Sequence, residues 1–179
     1  MPSGSATNRI APEDLAVDVA QSSPPTFFFP VTEASALRTL SEESTSLAKL
    51  VAVVAPTGYG KTVLLSTLFR RCMRWGAGCW WFALDERDES ADRLLVFLEA
   101  RLAAADAAHP PLDEVMAIYR GQEPDDERIE RIVARLLRVR LPVILFIDNI
   151  NCCRDPALAR LLSALVFNTP PWLKLVLAS

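Results

Sequence analysis

The run Leu50-Val51-Ala52-Val53-Val54-Ala55-Pro56-Thr57-Gly58-Tyr59-Gly60-Lys61-Thr62, continued by a helical pattern from Val63 to Phe69, sets the architecture of this chain. It reads as a strand, a glycine-rich turn, a lysine, a hydroxyl and a helix, the order a phosphate-binding loop requires. A glycine turn lets backbone N–H groups converge on an anion, and the positive end of the following helix points at the same spot. Lys61 can reach terminal phosphates, and the Thr62 hydroxyl can hold magnesium. Residues Ala55 to Val63 are therefore the candidate nucleotide contacts, with a nucleoside triphosphate and Mg2+ the expected ligands. The pattern G-x-x-x-x-G-K-[ST] has glycine where this chain has Ala55, a small loss if φ stays negative there. Gly58 and Gly60 are the positions expected to need glycine's freedom. Leu50–Val54, apolar throughout, reads as a buried parallel strand.

A second stretch supplies the metal's partner. Val143 to Ile147 is an apolar strand ending in Asp148, a Walker B pattern. The C-terminal edge of a parallel sheet is where ligands bind in α/β folds, so Asp148 can hold magnesium opposite Thr62. Asn149 follows, where P-loop ATPases of this type usually carry a second carboxylate to polarise the attacking water. Asparagine hydrogen-bonds water but cannot take its proton. Lys61 and position 149 are thus the candidate catalytic groups, and hydrolysis is expected to be weak or absent. The alternative is that Asn149 is an ordinary loop residue and the base lies among Asp85, Glu86 and Asp88.

Outward from these motifs, strands alternate with helices, which implies an α/β sandwich around a parallel sheet of about four strands. A helix over Thr62–Met73 turns Leu65, Leu68, Phe69 and Cys72 inward and ends at Gly76 and Gly78. Cys79–Leu84 is a second strand, whose Trp80-Trp81-Phe82 suits core packing better than stacking on a base. A helix from about Ser90 to Ala105 presents Leu94, Leu95, Phe97, Leu98 and Leu102. Another starts at Pro124-Asp125 and runs to about Val139, with Ile129, Ile132, Val133, Leu136 and Leu137 on its apolar face. Asp155-Pro156 opens a helix with cap and first-turn proline, and Leu173–Ala178 is the fourth strand. Short helices are also expected at Pro12–Ala20, Thr32–Glu43 and Leu112–Arg120. Residues 1–30 read as a mobile tail, with Phe27-Phe28-Phe29 expected to pack onto the domain formed by 31–179 or onto a part of a larger protein.

The bulk properties bound the rest. One domain fits 179 residues. A net charge of −3 argues against a basic footprint for nucleic acid over the whole domain, and Arg70, Arg71 and Arg74 read as a solvated helix end. The four cysteines, Cys72, Cys79, Cys152 and Cys153, form no C-x-x-C, and His109 is the only histidine, so a zinc site is not expected. Without a signal peptide or a spanning apolar run, the expected location is the cytoplasm, away from membranes.

Four stretches together resemble the large ATP-binding LuxR-type regulators of the maltose-regulon activator family, a group of P-loop signal-transduction ATPases. They are Ala55–Thr62, Cys79–Asp88 with its Leu-Asp-x-x-Asp turn, Leu145–Asn149, and Leu175–Ser179, which is similar to the sensor strand. The resemblance implies a three-layer P-loop sandwich truncated after that strand, with strand order 2-3-4-1-5 and the first strand left as an open edge. It also implies an ATP/ADP switch that self-associates when ATP is bound, and that contacts DNA only through a C-terminal domain absent here. The Lys- and Arg-bearing segment that precedes the P-loop in that family is missing. An active P-loop ATPase or kinase, and a vestigial interaction module, are the alternatives.

Overall fold

The apolar runs Leu50–Val53, Val143–Ile147 and Leu173–Ala178 and the aromatic run Cys79–Ala83 are strands, and all four strands are parallel because a helix returns the chain between each pair. The computed structural model describes residues 22–27, 48–86, 90–105, 124–138 and 142–179. In chain order the elements are β1 (Leu50–Val53), α1 (Lys61–Arg74), β2 (Gly78–Ala83), α2 (Asp92–Ala105), α3 (Asp125–Leu136), β3 (Val143–Asp148), α4 (Pro156–Phe167) and β4 (Leu173–Ala178). A 3-10 turn, Ile150–Cys152, follows β3. The sheet order is β1-β4-β3-β2, the expected 2-3-4-1 sequence with β1 at one edge.

Strand alternation divides the core into two layers. Across the sheet, Trp80, Leu145 and Leu175 share one register row, and Trp81, Phe146 and Val176 the next. The first row faces α2, α3 and α4, where it packs with Phe97, Leu98, Ile132, Leu161 and Leu165. The second faces α1. There Phe69 sets its edge against both Trp81 and Phe146, at 5.9 and 5.3 Å between ring centroids. Trp80, Trp81 and Phe82 are all buried, so the aromatic strand is core. A helix layer on each side of the sheet makes the three-layer sandwich.

Local chemistry sets the helix ends. α1 stops at Gly76 (φ 79°). The Gly76 N–H donates to the Met73 carbonyl at 3.0 Å and the Ala77 N–H to that of Cys72 at 3.3 Å, a Schellman closure that requires a left-handed residue. The Asp155 carboxylate caps α4, accepting from the Ala157 N–H at 2.9 Å. Its other oxygen accepts from the Ala91 N–H at 3.0 Å, which ties the start of α2 to that of α4. Arg128 of α3 bridges Asp92 (2.8 Å) and Glu99 (3.2 Å) of α2 in a buried ion cluster.

Two expectations change. β1 is parallel but half-exposed, with Leu50 39% exposed, because among the described residues it pairs only with β4. An unbroken apolar run does not distinguish a central strand from an edge one. Leu137 is exposed rather than core, because α3 ends at Leu136 and carries the stripe no further. The helices expected at 12–20, 32–43 and 112–120, together with His109, Phe28, Phe29 and Asp88, lie outside the described residues.

Candidate functional site

The loop between β1 and α1 is built on the C-terminal edge of the sheet. β1 is continued against β4 by two bonds, from the Ser179 N–H to the Val53 carbonyl (3.1 Å) and from the Ala55 N–H to the Ser179 carbonyl (3.4 Å). The chain then turns at Pro56–Tyr59, closed by the Tyr59 N–H on the Pro56 carbonyl at 3.4 Å. Gly58, at the third position of this turn, has φ 87°, the value a type II turn demands there. Gly60 (φ 76°, ψ 23°) then feeds the chain into α1 from the left-handed region. Both glycines singled out in the sequence thus stand where L-residues are strained. Ala55 does not: Asn149 is the only non-glycine residue with positive φ among the described residues. Alanine in place of the first glycine therefore costs the loop no backbone strain.

Lys61 is the first residue of α1, and its ammonium turns back into the loop. It donates to the Ala55 carbonyl at 2.5 Å and the Pro56 carbonyl at 3.1 Å. No side chain caps α1, and its first turn carries no acid. The first N–H groups of a helix have no partner within it, so the positive end of α1 faces the loop undiminished by a carboxylate. Thr62 and Val63 belong to that first turn. Tyr59 is largely exposed on the outer side of the loop.

Asp148 lies at the same edge. Ile147 is paired with Leu177, so Asp148 stands level with Ala178, and Ala178 is paired with Val53. β3 is two strands from β1, about 10 Å at the usual strand spacing. The Asp148 carboxylate is buried and one of its oxygens accepts the Asn149 N–H at 2.9 Å. Asn149 itself is exposed and left-handed (φ 56°, ψ 39°), and its carbonyl accepts from the Cys152 N–H at 2.9 Å, opening the 3-10 turn. Asparagine tolerates this conformation better than most residues. Asp85, offered as an alternative base, follows β2 beside this edge and lies 4.0 Å from Arg93; Glu86 is exposed.

One neighbour of the loop helix was not legible in the sequence. The Pro25 carbonyl accepts from the Ser66 hydroxyl (3.0 Å) and from the Arg70 guanidinium (2.7 Å), so Pro25 lies against α1. Ser66 is fully buried. A serine on the inner face of an apolar stripe was the available signal; Arg70 had read as solvated.

The donor set fits a magnesium–triphosphate group in kind. A hydroxyl at the helix start, a buried carboxylate across the same edge, an uncapped helix end and a lysine in the loop are hard oxygen donors and positive groups. Against known proteins, the family model described as Nephrocystin 3, N-terminal matches residues 31–179. The chain is 28% identical over 134 residues to the HTH-type transcriptional regulator MalT of Cronobacter sakazakii. It shows the same identity over the same length to the protein of that name from two Klebsiella pneumoniae strains. Each alignment covers 73% of this chain and 14% of the relative, so the chain spans about one-seventh of the length of these regulators.

Proposed function

This chain belongs to the Nephrocystin 3, N-terminal family, and from that premise we propose that it is the nucleotide-binding switch unit of a LuxR-type transcriptional regulator. The observation that carries the reading is the loop from Ala55 to Thr62. Gly58 and Gly60 bend it, Lys61 turns into it, and the uncapped end of α1 points at it. ATP is the ligand, and Ala55, Pro56, Thr57, Gly58, Tyr59, Gly60, Lys61, Thr62 and Val63 are its contacts. Similarity to transcriptional regulators supports the placement of this unit at the head of a longer regulator, in which a separate domain meets the DNA. The unit itself is residues 31–179, preceded by a tail.

Lys61, which holds the Ala55 and Pro56 carbonyls, would supply its charge to the phosphate oxygens of a bound triphosphate. Thr62 and Asp148 would hold magnesium, whose charge would offset that of the phosphates. Asp148 has one oxygen committed to the Asn149 N–H, which orders the carboxylate as a ligand. Asn149 orients water without accepting a proton, and hydrolysis is correspondingly slow. A bound state that persists suits a switch.

Thermal unfolding tests this. Millimolar MgATP is expected to raise the midpoint by several degrees, as a ligand does when it binds only the folded state. Asp148→Asn should reduce the shift seen with magnesium while leaving the smaller shift seen with ATP and a chelator. An identical midpoint with and without nucleotide would exclude the site.

A further inference from the structure

Two thiols face each other where α1 leaves the sheet. Phe69 and Trp81 meet edge to face and fix how α1 lies on β2. Cys72 is the next residue on the same helix face beyond Phe69, and Cys79 is the residue before Trp81 on the same side of the strand. The chain reverses through Gly76, so α1 and β2 run in opposite senses and both steps lead to one place. Cys72 and Cys79 accordingly pack in the same cluster, Cys72 within it and Cys79 against its edge. Both are free thiols, Cys72 buried and Cys79 half-buried. The Cys79 sulfur also donates to the Ala77 carbonyl at 3.6 Å.

A cation completes the cluster. Cys79 is in register with Ile144, and Ile144 with Lys174. That row places Lys174 on the face that carries α1, within electrostatic reach of Cys72. The neighbouring Cys79 draws the Cys72 thiol below the ordinary thiol range, and the Lys174 charge adds to this against the opposing effect of burial. The same pairing, then burial, pushes the Cys79 thiol up. Cys72 is thus the readier thiolate of the two, and half-buried Cys79 is the side of the pair nearer solvent.

We propose that Cys72 and Cys79 form a redox-sensitive modification site, closed to an intramolecular disulfide by a small peroxide. The thiolate attacks one peroxide oxygen; an S–O bond forms, the O–O bond breaks and hydroxide leaves. The second thiol then attacks the sulfenic sulfur; the S–S bond forms and water leaves. Both sulfurs together lose two electrons, and one hydrogen peroxide becomes two waters. The bond staples the last turn of α1, the helix that begins at Lys61, to β2. The proposal stands independently of nucleotide binding.

The test uses the whole 179-residue chain, reduced, desalted, treated with hydrogen peroxide, quenched with N-ethylmaleimide and digested without reductant. Mass spectrometry is expected to find the Cys72 and Cys79 peptides joined with loss of two hydrogens and released by dithiothreitol, while Cys152 and Cys153 carry maleimide. Lys174→Gln should slow the cross-link by about threefold or more, as loss of a neighbouring cation lowers the thiolate fraction, and Lys174→Arg should retain most of the rate. Recovery of both cysteines as maleimide adducts, or a link that forms only in urea, would overturn the pairing. Equal rates in wild type and Lys174→Gln would overturn the lysine's part in it.

Discussion

Asn149 stands in the left-handed region, with its N–H on the Asp148 carboxylate and its carbonyl starting a 3-10 turn. Its identity therefore has a backbone reason as well as a chemical one. The sequence offered only the chemical one, because a lone asparagine after a strand does not announce its φ. Gly58 and Gly60 were legible, since the turn between a strand and a lysine-headed helix leaves few ways to reverse the chain. Asn149→Gly is expected to leave stability nearly unchanged, whereas Asn149→Val should cost about 1–2 kcal/mol, the strain of a left-handed β-branched residue, measured by urea unfolding. Asn149→Glu supplies a carboxylate and is expected to raise ATP turnover by at least roughly tenfold. Unchanged turnover would point to a base elsewhere at the sheet edge.

Among the elements, those with a long apolar period were legible almost to their ends. The stripes of α1 and α2 emerged buried at the expected positions, and Asp155-Pro156 marked a helix start that the structure places at Pro156. The ion cluster between α2 and α3 was not legible. It depends on Arg128 meeting Asp92 and Glu99 across a helix pair, and charges read along one chain look like solvated faces until the helices are packed. Only 5% of Glu99 and 11% of Arg128 side-chain surface remains exposed. Removing one partner strands the other in the interior. Arg128→Met is therefore expected to destabilise the fold by roughly 3 kcal/mol. The double change Arg128→Met with Glu99→Leu should recover a good part of this loss in the same unfolding assay. A loss under about 0.5 kcal/mol for the single variant would mean that water reaches the pair freely.

For the whole molecule, the alternation of strands and helices fixed a parallel sheet, and the order β1-β4-β3-β2 followed from resemblance where periodicity alone could not supply it. The same order leaves the outer side of β1 without a strand partner among the described residues, next to exposed Leu50 and Val54. An open apolar edge pairs with other chains. The 179-residue chain is expected to self-associate with rising concentration in light scattering, and Val51→Lys on the edge should reduce this; a concentration-independent monomer would contradict it. That edge lies beside the loop at its C-terminal end.

The switch reading stands or falls on whether that loop takes a triphosphate. A titration of the chain with a fluorescent ATP analogue in magnesium, run beside Lys61→Ala, addresses it most directly. Saturable binding that Lys61→Ala weakens by about tenfold or more, the scale of one lost charge-assisted contact to phosphate, is the expected result. Absence of saturable binding, or binding that Lys61→Ala leaves untouched, would contradict it.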